Sequence, residues 1–333
     1  MTERRRRLTT AVRWFDLQLP SNRFLFTASG LALIGFSAYR SAQGDTVGGA
    51  VSRGLEAGFS VFLSWALARE LDPDRPTSAT AAGIAGFLIF LTGPTNLGAV
   101  TALLFAVRLV TRTSGAPPAN LDLVWLPGLA AYSARSSGGF LAGLALAVAL
   151  AWGSEEPDRG RQTLSALAAA GLAIGLAAIR GTIAPRVVVP TPWQWAVFGA
   201  AVLSVGWLRI PPPISVGDLS GEPLNHQRLV AARILAVATG ILVGAWLGGA
   251  AAPAFVGLWA ALVGIAVIRS TSRLGGLRRL AERGAPAPSG QVETEHEEER
   301  EHADDDPDPR VTEVDLPSEP RNLKSDRQQD EDQ

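Results

Sequence analysis

Ten apolar stretches, cut apart by short polar joints, run from about residue 24 to residue 269, at 24–39, 54–69, 77–93, 96–111, 121–134, 138–153, 164–180, 193–209, 229–250 and 252–269. A bilayer-spanning helix needs roughly 17–25 apolar residues, so the shorter stretches would stand nearly upright or border on thin bilayer. The pattern predicts an all-α, polytopic transmembrane helix bundle of about ten spans. Its weakest member is Leu121–Ala134, which is brief and carries Pro127.

Charge orders these stretches. With the N-terminus inside and ten spans accepted, the later inside segments hold Arg159, Arg161, Arg209, Arg228, Arg269, Arg273, Arg278, Arg279 and Arg283. The later outside loops hold Arg135, Arg180 and Arg186. Deleting the fifth stretch would exchange the two sets and reverse the positive-inside bias. The uncharged joints Gly93–Asn96 and Gly249–Pro253 both fall outside. The expectation is a multi-pass cell-membrane protein with both termini cytoplasmic.

The flanks read differently from the bundle. Residues 1–23 open with Arg4, Arg5, Arg6 and Arg7 and continue with Leu8, Val12, Phe15 and Leu19 at helical spacing, a cytoplasmic amphipathic segment. About sixteen mixed residues separate the arginines from the first apolar stretch and no convincing small-x-small cleavage site follows it, so Phe24–Tyr39 is read as a retained span. The bundle proper is 24–269. Residues 270–284 form a basic juxtamembrane segment suited to anionic lipids of the inner leaflet. Residues 285–333 begin with a Pro-rich linker and become a strongly acidic tail. From Gly290 onward there are 17 acidic and 5 basic residues, a net of −12, so residues 1–289 carry +11 of a total of −1. Such a tail cannot bury a core, and disorder is expected.

Composition removes several chemistries. The chain has no cysteine, which excludes disulfides, zinc–cysteine sites and thiol nucleophiles. Of three histidines, His296 and His302 lie in the tail and His226 in the joint before the ninth stretch. There is no phosphate-binding glycine loop, nucleotide fingerprint or metal–histidine set, so no cofactor is expected and no nucleic-acid partner. No carboxylate falls at the middle of a span, where proton-coupled transporters keep one.

Two joints echo each other. Leu67-Ala-Arg-Glu-Leu-Asp-Pro-Asp-Arg75 precedes a small-residue helix, and Trp152-Gly-Ser-Glu-Glu-Pro-Asp-Arg159 precedes another. The echo reads either as a parallel duplication of a four-span unit, 54–134 and 138–250, or as ordinary turn chemistry built from Pro, Asp and Arg. The same joints hold the candidate phosphate or metal residues Asp72, Asp74, Arg75, Glu156, Asp158 and Arg159. An Asp-x-Asp pair with an adjacent arginine suits Mg²⁺ and a diphosphate. The competing reading is structural: Asp before proline builds a turn, and Pro76 suits the first turn of a helix.

Glycines recur at spacing four in Gly139/Gly143, Gly171/Gly175 and Gly240/Gly244/Gly248, the pattern that lets helix backbones approach in lipid. A duplicated bundle would create an interface for a substrate path, so the expected function is permease-like. The alternatives are a lipid-modifying enzyme using the Pro-Asp-Arg turns, and a non-catalytic membrane scaffold.

Overall fold

A computed structural model describes residues 18–113, 117–152, 159–185, 188–204, 206, 212–217 and 221–284, with side chains as far as 272. Two units are distinguished, Met1–Leu280 and Ala281–Gln333. Beyond Gly284 the second lies outside the described residues, and with it the acidic tail. Most of the basic N-terminal segment is outside them too.

Among the described residues the architecture is all-helical. It comprises α1 (Pro20–Ala42), α2 (Val47–Leu71), α3 (Pro76–Phe90), α4 (Leu97–Thr111), α5 (Asn120–Ser133), α6 (Gly139–Trp152), α7 (Arg159–Ile179), α8 (Pro192–Leu203), α9 (His226–Leu247), the single turn α10 (Ala251–Ala254) and α11 (Val256–Gly284). Each of the ten apolar stretches coincides with one of the long helices, within a few residues at most ends. The largest differences are at α2, which begins seven residues before the expected start, at α8, which stops six residues before the expected end, and at α11, which runs on to Gly284 and takes in the whole basic segment. Among the described residues two helices, Arg159–Ile179 and His226–Leu247, are long and apolar enough to cross a membrane.

Local chemistry accounts for the helix ends. Thr46 caps α2 by accepting from the Gly49 amide, Asn96 caps α4 through Ala99, and Asn225 caps α9 through Gln227 and Arg228. Proline occupies the first turn of α1, α3 and α8, where the missing N–H has no partner to lose. Asp122 accepts from the Ala119 amide at 2.9 Å and fastens the start of α5, which runs through Pro127 without ending. The chain leaves α9 at Gly248 with φ 56°. A Cβ there would collide with the Val188 backbone, so glycine is needed for both reasons.

Helix α4 and the first eleven residues of α11 are the most enclosed among the described residues. Ala99, Val100, Ala102, Leu103, Ala106 and Val107 of α4 are fully buried, as are Val256, Leu258, Ala260, Ala261 and Ile265 of α11. Helices α1, α2 and α3 touch one another, and so do α5, α6 and α7. Small residues set the spacing. Gly54 and Gly58 of α2 lie against Ser37, Leu33 and Ser29 of α1; Gly86 of α3 lies against Ser64 and Ser60 of α2. Gly264 of α11 would place a Cβ 2.5 Å from the Ala82 nitrogen of α3, a distance no real side chain tolerates. Of the glycines singled out above, Gly143 lies against Ala173 and Ala130, and Gly139 against the Ser133 carbonyl. Gly240 and Gly244 meet Leu258 and Trp259 at ordinary contact distance. Gly171 and Gly175 face open space, because their side of α7 points away from the bundle.

Candidate functional site

The chemistry gathers where α2 ends. Glu70 is 1% exposed and Asp72 likewise, two residues apart on the final turn and cap of the helix. A carboxylate in such a place must be paired, since taking an isolated charge out of water costs more than folding can supply. Each is paired with a different part of the molecule. Arg108 of α4 donates to Glu70 at 2.7 Å, and the Thr113 hydroxyl donates to the other Glu70 oxygen. Arg269 of α11 is in direct contact with one Asp72 oxygen, and the Ser78 hydroxyl of α3 donates to the other at 2.8 Å.

Arg233 of α9, only 2% exposed, donates through Nε to the Leu71 carbonyl at 3.0 Å. That carbonyl belongs to the last turn of α2, which lacks intrahelical donors, so the guanidinium completes the helix end. The result is an ionic lattice in which one end of α2 is bonded to α3, α4, α9 and α11. Asp74, by contrast, is exposed and fastens the segment after α8. It accepts from the Ser215 amide at 2.9 Å, the Ser215 hydroxyl at 2.6 Å and the Ile214 amide at 3.4 Å.

Of the residues selected from the sequence, Asp72 and Asp74 are thus engaged with protein partners on different sides of the same turn. Arg75 is half-buried, just before Pro76, and Arg159 is exposed at the first residue of α7. Glu156 and Asp158, with the rest of their turn, lie outside the described residues. Among the described residues no three acidic or histidine side chains come together as a metal site would need.

Sequence reasoning passed over Glu70, Arg108, Arg233 and Arg269 as members of one cluster. Arg108 and Arg233 lie near helix ends, where a long basic side chain can reach out to water, yet both turn inward. The available signal was that no basic residue stands three or four positions from Glu70 on either side, so a facing partner had to come from another helix. His226 is also displaced from expectation: it opens α9 rather than lying in a loop.

No known protein family, curated protein or solved structure matches the chain.

Proposed function

We propose that the chain is a multi-pass integral membrane protein of about ten spans, with both termini cytoplasmic, working as a permease-like bundle held closed at its cytoplasmic end. The membrane part of this reading is supported by what the helices turn outward. On α7, Leu164, Leu167, Leu172, Ile174 and Ile179 are all exposed, and α1 does the same with Phe26, Leu31 and Ile34. Soluble monomers rarely leave apolar surface of this extent uncovered, whereas lipid accepts it. The inward faces carry the small residues instead, as expected where packing rather than water exclusion joins helices.

The permease-like part is carried by the ionic lattice, which ties helices from both halves of the chain at one end only. The hydroxyls of Ser60, Ser64 and Thr239 are spent on carbonyls one turn back in their own helices. A bundle whose mid-helix hydroxyls turn back on their own backbones and whose charges are paired at one end has the features of a gated path in its shut state. The engagement of Asp72 and Asp74 with Arg269, Ser78 and the 214–215 segment works against their use as Mg²⁺ ligands in a lipid-modifying enzyme.

The absence of cysteine makes the test direct. Single cysteines replacing Thr95 and Ser272 are expected to react with an impermeant thiol reagent from the outside and the inside, respectively. Ser60→Cys is expected to be silent in the intact bundle and to become reactive from the cytoplasmic side once Arg269→Gln opens the lattice. A folded double variant that stays silent would exclude the gate and leave a scaffold.

A further inference from the structure

A groove of about 500 Å³ runs along one side of α9, within the ~300–1,000 Å³ range of ligand sites. Its floor is a stripe of α9 from His226 to Ala238, and its walls are Val110 of α4 with Val148 and Trp152 of α6. Val230, Ala231, Ile234 and Leu235 continue the stripe at helical spacing, and Ala231 and Ala238 leave it concave. Twelve steps of 1.5 Å rise make the floor ~18 Å long. That is slightly more than half of a ~30 Å hydrocarbon core, the depth of one leaflet.

Polarity is confined to one end. His226 and Gln227 lie there, and everything deeper on the α9 floor is apolar. The Nδ1 atom of His226 is buried and has no hydrogen-bond partner among the described residues. Such an atom marks a missing partner, because buried polar groups in folded proteins are otherwise satisfied. The helix N-terminus does not offer itself as the binding group, since Asn225 already accepts from the Gln227 and Arg228 amides. A ligand would be held by side chains. Among the described residues no carboxylate lines the groove, and Arg228 follows Gln227 in sequence.

We propose that this groove holds one acyl chain of an anionic phospholipid from the cytoplasmic leaflet, with its phosphate at His226 and Gln227. A one-leaflet length, an apolar floor and a polar mouth with an unpartnered His226 nitrogen together match that molecule. The inference rests on the membrane part of the proposed function, and not on the gate.

The test uses the purified full chain in detergent, titrated with phosphatidylglycerol or phosphatidylcholine and read by thermal stability and by lipid retained in native mass spectrometry. Phosphatidylglycerol is expected to stabilise and be retained, with phosphatidylcholine weaker. His226→Ala is expected to weaken phosphatidylglycerol about tenfold, the loss of one charge-assisted hydrogen bond. Ala231→Trp, which fills the floor, is expected to abolish retention. Val148→Trp fills the same space from α6 and serves if the first variant misfolds. Equal stabilisation of filled and unfilled proteins, or equal binding of the two lipids, would overturn the proposal. Recovery of the native chain in the soluble fraction would instead sink the membrane reading beneath it.

Discussion

The two ends of α2 carry the same chemical bond in opposite settings. Near the start of the helix Arg53 meets Glu56 at 2.7 Å, three residues away on the same surface, with side chains 44% and 27% exposed. Near its end Glu70 meets Arg108 at the same 2.7 Å, but across 38 residues, with side chains 1% and 14% exposed. Distance therefore says nothing about what either pair does. The first is a local accessory of a helix that would form without it. The second commits two helices to one arrangement, because the Glu70 carboxylate has no aqueous alternative once they pack.

That contrast sets the order of expected effects. Glu70→Ala strands the Arg108 guanidinium in a buried site and is expected to cost about 3–5 kcal/mol, read as thermal or denaturant stability in detergent. A double-mutant cycle with Arg108→Ala should show that most of the loss is coupling between the two. If the single and double variants are equally and only slightly destabilised, the pair is solvated and the comparison collapses.

Asp74→Asn lies between the extremes. The exposed carboxylate holds the 214–215 segment through three donors, and the amide oxygen of asparagine still accepts from some of them, so the expected loss is about 1 kcal/mol or less. Proteolytic nicking after α8 is the sensitive readout, and an unchanged pattern is the expected result. A much larger loss would mean that the turn belongs to the lattice rather than to its rim.

Arg53→Ala should be the mildest, within about 0–1 kcal/mol, and the small effect should shrink further as salt is raised. A salt-independent loss of several kcal/mol would show that this end of α2 is as enclosed as the other.

The amino-acid pattern by itself determined the helices. Apolar runs, capping Thr46, Asn96 and Asn225, and first-turn prolines are local signals, readable because a helix satisfies its backbone within a few residues of sequence. The Arg53–Glu56 pair was legible for the same reason. Glycine spacing was a weaker guide. It pointed to Gly143, which is in a crossing, and equally to Gly171 and Gly175, which face open space, while Gly264 showed no repeat at all. A glycine at a crossing is defined by what stands opposite, and spacing along one helix carries no record of the other. The lattice was out of reach on the same grounds. Asp72 meets Arg269 across 197 residues and Arg233 reaches Leu71 across 162, so only the packing of α2, α9 and α11 decided which charges would be buried together.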